Sequence, residues 1–273
     1  QAALAREALG VCAQDGRVVC AVVAGVSFWR SSSVGSALGA MSRQEEVVLM
    51  ARIAEGAERY EDMADFMKER VDMGGSLSKE ERDMFSAAFK HAMSSRRNAT
   101  RIAKAICIAK EQEGNKEQAD LATNYRSKME AQLREICEKA LSTLEGSLIP
   151  QVGTDAEAKV FYLKMRGDYY RYLSENLEGD ARAEQATKAA EAYGTGLAEA
   201  EATLPEVHPT RLGLVLNFSV FKHEVLGDTQ GAIQMAHAAL SASNDQLQTL
   251  DKDALQDSEM TLSLLQDNLQ LWC

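Results

Sequence analysis

Residues 160–172 read VFYLKMRGDYYRY, and this stretch sets the interpretation of the whole chain. Thr154 and Glu157 precede it at the spacing of a capping box, which predicts the start of a helix. Lys164 and Arg171 are seven residues apart, or two helical turns, and therefore share one face of that helix. The stretch is thus read as a helix that presents two cations on the same side.

Helical patterns continue in both directions from this stretch. A capping box at Ser78 and Glu81 begins a long helix that runs toward Gly114, and Pro209 suits a first helical position. Other predicted helices run from about Lys116 to Leu144, closed by Ile149-Pro150, and over roughly 210–226, 229–243 and 251–271. Strand-like alternation is missing, so the sequence predicts an all-α fold of about nine antiparallel helices. A regular helical-repeat solenoid stays open as the alternative architecture, although no fixed repeat period supports it.

Composition and charge exclude several functional classes. The 273 residues are 45% hydrophobic, which is enough for a sizeable core and argues against disorder. A net charge of -11 argues against general binding of nucleic acid, because the phosphate backbone would be repelled. Any basic binding site must therefore be local.

The cysteines and histidines show no ligand pattern. Five scattered cysteines and four histidines lack the spacing of a disulfide framework, a zinc site or any other metal site. We expect no cofactor, a reducing cytoplasmic setting with possible access to the nucleus, and no membrane span. We also expect no catalysis, since no nucleophile–base pair, phosphate-binding glycine loop or metal cluster is visible.

The first forty residues differ in character from the rest. They are rich in Gly, Ser and Val and contain an apolar run over 18–26, which is too short to span a bilayer. We expect residues 1–40 to be an extension that comes from cloning or upstream sequence, with Met41 as the natural start. A genuine short extension or anchor is the alternative, and residues 41–273 are predicted to form one domain.

Two features suggest a binding groove. Lys90 and Arg97 repeat the seven-residue spacing of Lys164 and Arg171, although such pairs are more often only a solvated face. Asn217 lies within the apolar run 212–221, and Asn268 within the run 264–272. A peptide backbone would satisfy both amides, and bonding within the fold is the alternative.

Several strings closely resemble the 14-3-3 family, in order from about Arg43 to Trp272. They are RYEDM at 59–63, SKEER at 78–82, SRR at 95–97, VFYLKMRGDYYRY at 160–172, HPTRLGL at 208–214, LNFSVF at 216–221 and DNL at 267–269. The resemblance implies a cup-shaped dimer of nine-helix subunits whose amphipathic groove binds phosphoserine or phosphothreonine segments of client proteins. It also implies that helices over about 43–113 dimerise and that helices across 78–272 form the groove.

The resemblance assigns roles by position. It gives phosphate binding to Lys90, Arg97, Arg171 and Tyr172. It gives peptide binding to Lys164, Asn217, Asn268, Leu216, Val220, Glu224, Leu264, Leu271 and Trp272. Asp168 is on the right side of its helix to orient the cations. The function expected is that of a non-catalytic adaptor, and the alternative is a helical-repeat scaffold that reads unphosphorylated peptides.

The resemblance also implies a homodimer, or a heterodimer with a related subunit. The corresponding interface residues are Ile53, Ala57, Arg59, Asp62, Tyr125, Lys128 and Gln132. Gln132 replaces the acidic partner of Arg59 in family dimers, whereas the second pair, Asp62 with Lys128, is kept. We therefore expect a dimer with a looser interface, since partly exposed ion pairs contribute less than about 1 kcal/mol.

Two further departures lie beside the Arg96-Arg97 pair. Ala99 replaces a serine whose phosphorylation opposes dimerisation in many relatives, so that switch is expected to be absent. Thr100 stands where a tryptophan is common.

Overall fold

Nine α-helices of at least 13 residues make up the fold in a computed structural model that describes residues 41–243, 247 and 250–272. They are α1 (Arg43–Gly56), α2 (Tyr60–Asp72), α3 (Lys79–Gln112), α4 (Lys116–Thr143), α5 (Ala156–Glu175), α6 (Gly179–Thr203), α7 (Pro209–Glu224), α8 (Thr229–Ser243) and α9 (Lys252–Trp272). The residues described include no strand, so the all-α prediction is confirmed. Residues 1–40 lie outside the described part, and the domain boundary predicted there stays a prediction.

The two predicted capping boxes have different outcomes. Ser78 accepts a hydrogen bond from the Glu81 backbone N–H at 3.2 Å, and the Glu81 carboxylate accepts one from the Ser78 N–H at 2.8 Å. The box predicted at Thr154 is wrong, because Asp155 caps α5 by accepting from the Ala158 N–H at 2.9 Å. Asp155 is held there by an ion pair with Arg82 at 3.0 Å on α3, which joins the starts of the two helices.

The end of α4 also differs from the prediction that Ile149-Pro150 closes the helix. Helical backbone continues through a π-helical turn, Leu144–Leu148, and a short α-helical segment, Ile149–Gln151. The wider turn interrupts the regular ladder of backbone hydrogen bonds. Pro150 therefore occupies the first turn of a new segment, where its missing N–H is not required.

Helix α5 is the central element of the fold. It packs against α3, α4, α6 and α7, while α9 packs against α7 and α8. One apolar cluster joins α5 to the N-terminal helices through side chains such as Phe85, Phe89 and Tyr169. A second cluster joins α5 to α6 and α7 through Tyr193 and Phe221. These two clusters hold α5 between the N-terminal helices and the pair α6 and α7.

Close packing of α5 on α6 depends on Gly167. A Cβ atom at this position would lie 2.7 Å from the ring of Tyr193, well inside contact distance. Because glycine has no side chain, the Tyr193 ring can approach the α5 backbone closely. This contact brings the Tyr193 hydroxyl to the carboxylate of Asp168, next to Gly167 in the sequence.

Candidate functional site

Two arginines from different helices meet on one tyrosine ring. The guanidinium carbons of Arg97 on α3 and Arg171 on α5 lie 4.5 and 4.4 Å from the ring centre of Tyr172. Glu175 bridges the same two cations, at 2.8 Å from Arg97 and 3.3 Å from Arg171. The structure thus brings together three of the four side chains predicted to bind phosphate.

Tyr172 keeps its hydroxyl proton in this environment. Burial raises the pKa of the phenol, and the nearby charge of Asp168 raises it further despite the opposing effect of both arginines. A protonated hydroxyl can donate a hydrogen bond to an anion. The cluster therefore offers a tyrosine donor beside two guanidinium groups.

Asp168 anchors this cluster from beneath and is only 7% exposed. Its carboxylate accepts hydrogen bonds from Tyr193 at 2.5 Å and Lys164 at 3.1 Å, and lies 3.6 Å from Arg171. Burial alone would raise the pKa of Asp168, but the charges of Lys164 and Arg171 and the bond from Tyr193 outweigh it and hold the pKa below its usual value. Asp168 is thus ionised and orients the cations, as predicted from its position on α5.

Asn217 on α7 joins the same carboxylate. Its Nδ2 donates to the two carboxylate oxygens of Asp168 at 2.8 and 3.0 Å. Because a carboxylate only accepts, this contact sets which end of the amide faces Asp168. The Oδ1 atom of Asn217 accepts no hydrogen bond from the described residues. The fold therefore uses half of this amide and leaves the acceptor half available.

A pocket of about 680 Å³ opens beside the cluster, between α3, α4 and the end of α5. Lys90, Arg97 and Tyr172 line it together, so the seven-residue spacing of Lys90 and Arg97 does place both on one face. Lys90 is exposed, and no ion pair to it is found among the described residues. We call Lys90, Arg97, Arg171 and Tyr172 the basic cluster.

An apolar surface lies on α7 and α9. Leu216 and Trp272 pack at the edge of a buried cluster that includes Leu212 and Leu265, and Trp272 stacks on His223 with ring centres 5.0 Å apart. Leu264 is 47% exposed and Leu271 is 81% exposed. Together with the half-buried Val220, these residues form what we call the apolar wall, comprising Leu216, Val220, Leu264, Leu271 and Trp272.

Two predicted groove residues have no direct link to the basic cluster. Glu224 is exposed at the end of α7, and Asn268 is half-buried on α9. The described residues include no hydrogen-bond partner for the side chain of Asn268. Its role as a second backbone clamp stays a prediction.

The sequence analysis did not identify two residues that contact the site. Glu175 bridges Arg97 and Arg171, and its position four residues after Arg171 was a signal that i,i+4 pairing could have detected. Tyr193 donates to Asp168 from α6, 25 residues further along the chain. Only the packing of α6 on Gly167 makes that contact, so no local spacing indicated it.

The residues predicted to dimerise lie on α1, α2, α4 and the loop between α1 and α2. Ile53 and Tyr125 are 54% and 53% exposed, and Ala57 and Lys128 are also exposed. Arg59 forms an ion pair with Asp62 at 2.5 Å in the same subunit. Gln132 is half-buried on α4.

Neither a metal cluster nor a membrane span occurs within the described ranges. No group of three or more potential ligands among His, Cys, Asp and Glu is found there. No helix in the same residues combines the length and apolar character needed to cross a bilayer. Cys107 and Cys137 are buried and not bonded to each other.

Comparison with known proteins identifies relatives along most of the chain. The family described as 14-3-3 protein matches residues 50–273. The chain is 43% identical to 14-3-3-like protein 2 of Caenorhabditis elegans over 229 residues, which are 84% of this chain and 91% of the relative. It is 42% identical to 14-3-3 protein beta/alpha-1 of Oncorhynchus mykiss, with 84% and 93% covered, and 44% identical to a 14-3-3 protein homolog of Candida albicans, with 84% and 86% covered.

Proposed function

The chain belongs to the 14-3-3 family, whose members are non-catalytic adaptors, and on this premise we propose that it binds phosphorylated segments of client proteins. The proposed ligand is a phosphoserine or phosphothreonine segment that lies between the basic cluster and the apolar wall. One observation carries the proposal: Arg97 and Arg171 converge on Tyr172 from two helices.

The charge of a phosphate suits this convergence. A phosphate ester carries about 1.5 to 2 negative charges at neutral pH, and planar guanidinium groups can contact its oxygens two at a time. Glu175 bridges both arginines with a single negative charge, so the pair keeps an excess of positive charge, and the Tyr172 ring supports their planes. Lys90 adds an exposed ammonium group at the pocket rim. An unphosphorylated serine would offer these cations no anion, so affinity depends on the phosphate.

The remaining groove residues supply contacts that do not depend on phosphate. The Oδ1 atom of Asn217 is oriented to accept a backbone N–H, since its amide nitrogen is held by Asp168. In the proposal, Asn268 binds the backbone further along, and Lys164 and Glu224 contact polar groups of the segment. Exposed Leu264 and Leu271 on the apolar wall offer area to client side chains.

The experiment that tests the proposal compares two peptides that differ only in phosphate. Fluorescence anisotropy would measure an Arg-Ser-x-phosphoSer-x-Pro peptide and its unphosphorylated twin against the unaltered protein and against Arg97→Glu. We expect the unaltered protein to bind the phosphorylated form. Arg97→Glu should weaken that binding about a hundredfold or more, because two charge-assisted hydrogen bonds are lost and the new carboxylate repels the phosphate. The matched control is Arg134→Glu, the same charge change at an exposed residue of α4 outside the pocket.

Equal affinity for both peptides would contradict the proposal. In that case, the alternative function, a helical scaffold that binds unphosphorylated peptides, would describe the groove better.

A dimer is part of the same proposal. Exposed apolar side chains on α1 and α4, such as Ile53 and Tyr125, support self-association or pairing with a related subunit. Gln132 cannot form an ion pair with Arg59 of a second subunit, so the proposed interface relies on Asp62 and Lys128 for charge and on apolar contacts for most of its stability. We also propose a cytoplasmic location with access to the nucleus.

Sedimentation tests the dimer directly. At micromolar concentration we expect the unaltered protein to sediment as a dimer and Ile53→Glu to sediment as a monomer. Leu226→Glu is the control, because Leu226 is similarly exposed but follows the end of α7. A monomer for the unaltered protein would contradict this part of the proposal.

A further inference from the structure

The pocket beside the basic cluster extends further along α3 than binding one phosphate requires. Arg101 and Lys104 line it one and two turns beyond Arg97, which places them about 6 and 10 Å further along the helix. The far wall is made by Arg126 and Glu130 of α4. Pockets of 300–1,000 Å³ typically hold entire small ligands, so about 680 Å³ leaves room for more than one phosphoryl group.

Two polar atoms in this wall have no hydrogen-bond partner. They are the hydroxyl of Thr100, a residue only 8% exposed, and the Nε atom of Arg126. Arg126 Nε lies 3.1 Å from Glu130 but without the alignment of a hydrogen bond. Among the residues described, only one other buried side-chain polar atom is unsatisfied, so the deficit is concentrated in this pocket. Both groups can donate, and each belongs to a residue that lines the pocket, so an acceptor-rich ligand would suit this wall.

The net charge of the residues that line the pocket also favours an anionic ligand. Five basic and three acidic side chains line it, an excess of two positive charges in a chain whose net charge is -11. Glu175 is already bound to Arg97 and Arg171, and Glu130 lies against Arg126. Lys104 is exposed, and no ion pair involving it is found among the described residues. A further anion would therefore meet an uncompensated ammonium group.

We propose that this extension is a second phosphate subsite, which holds another phosphoryl group of the same client segment. Its donors are Arg101, Lys104 and Arg126, with the Thr100 hydroxyl behind them. The tetrahedral oxygens of a phosphoryl group can accept from several of these donors at once, whereas a carboxylate has two oxygens in one plane. The inference rests on the proposed function, because it requires the first phosphate to be bound at Arg97, Arg171 and Tyr172.

The geometry sets the spacing of the two phosphates. A separation of about 6 to 10 Å corresponds to two or three residues of extended chain, at roughly 3.3 to 3.6 Å per residue. Clients that carry two phosphoserines at that spacing are thus the ligands expected to use both subsites.

The test measures four peptides by fluorescence anisotropy. One carries a single phosphoserine, two carry a second phosphoserine three residues before or after it, and one carries glutamate in place of the second phosphate. We expect one of the doubly phosphorylated peptides to bind about tenfold more tightly than the singly phosphorylated one, a gain that corresponds to one charge-assisted contact. We expect glutamate to give less than about half of that free-energy gain.

Two variants locate the gain. Lys104→Glu reverses the unpaired charge, and Thr100→Trp fills the pocket from its wall. In both variants, the doubly and singly phosphorylated peptides should therefore bind with equal dissociation constants. Lys116→Glu is the matched control at the start of α4, about 15 Å from Arg126 along the helix, and should keep the ratio. Lys104 is exposed, so its substitution tests binding without a change in the core.

The outcomes separate the two proposals. If the singly phosphorylated peptide fails to bind, the proposed function and this inference are both overturned. If it binds but the second phosphate adds nothing, or adds a gain that survives Lys104→Glu and Thr100→Trp, only the second subsite is wrong. A glutamate gain equal to that of phosphate would overturn the assignment to a phosphoryl group.

Discussion

The two arginines of the basic cluster are held by their neighbours in the fold, whereas Leu264 and Leu271 of the apolar wall are exposed to solvent. Arg171 contacts Asp168, Tyr172 and Glu175, and Asp168 in turn holds Lys164. Leu271, by contrast, is 81% exposed at the end of α9. The difference indicates that direction-dependent contacts are ordered during folding, before a ligand arrives, while the non-directional apolar contacts need no such ordering.

The comparison predicts that the basic cluster is coupled to stability and the apolar wall is not. The largest expected effect is that of Asp168→Asn, which leaves buried Arg171 and half-buried Lys164 without their shared counter-charge. We expect it to lower the free energy of unfolding by about 3 kcal/mol, the scale of a broken buried ion pair. Urea unfolding at pH 7 measures this loss, with Asp120→Asn, an exposed carboxylate on α4, as the control. A loss no larger than that of the control would contradict the coupling.

The apolar wall should show the opposite behaviour. Replacing both Leu264 and Leu271 with alanine should weaken binding of the phosphorylated peptide about tenfold, because apolar area that the ligand would cover is removed. Stability should hardly change, since both side chains are exposed in the free protein. Anisotropy and urea unfolding of the double variant measure the two effects. Met260→Ala on α9 is the control, and a large fall in stability of the double variant would show that the wall is part of the core.

A smaller change separates the ring of Tyr172 from its hydroxyl. Tyr172→Phe keeps the surface on which Arg97 and Arg171 lie, at 4.5 and 4.4 Å, and removes only the donor. We expect binding of the phosphorylated peptide to weaken about fivefold, the value of one hydrogen bond, with no change for its unphosphorylated twin. Tyr125→Phe on α4 serves as the reference. A loss of a hundredfold would mean that the hydroxyl also holds the arginines.

The smallest expected effect is that of acidic pH on the free energy of unfolding. The folded pKa of Asp168 lies below the usual value of about 3.9, so its stabilising contribution is present above about pH 4 and is lost as the pH falls through the lower folded value. The free energy of unfolding should therefore fall more steeply below about pH 4 in the unaltered protein than in Asp168→Asn. Urea unfolding at successive pH values tests this, and parallel curves would show that Asp168 carries no such contribution.

Much of the fold followed from local sequence signals. Capping at Ser78, the first helical position of Pro209 and the bounds of α8 could be predicted because each depends on residues close in the chain. The family was predicted correctly from the resemblance, and family membership also agrees with the expectation of no catalysis, which rested on the missing catalytic patterns. Local signals misled at Thr154, since the ion pair of Asp155 with Arg82 depends on a helix 73 residues away.

The candidate site was predicted less completely. Lys90 and Arg97 share the predicted face, because two-turn spacing on a helix fixes direction. The alternatives for Asn217 could not be decided from the sequence. In the structure its amide nitrogen is bonded within the fold to Asp168, while its oxygen accepts no hydrogen bond from the described residues, so peptide binding by that oxygen stays a prediction. The contact of Tyr193 with Asp168 arises from the close approach of α6 to Gly167, which no spacing rule reveals.

The most direct test of this division of roles is the ratio of two dissociation constants, for the unphosphorylated and phosphorylated twins of one peptide. It would be measured for the unaltered protein, Arg97→Glu and the Leu264→Ala, Leu271→Ala double variant. We predict that Arg97→Glu lowers the ratio by more than about tenfold, because only the phosphorylated peptide loses contacts, and that the double variant keeps it within about twofold. An equal fall of the ratio in both variants would contradict the account, because phosphate recognition would then depend on the apolar wall as much as on the basic cluster.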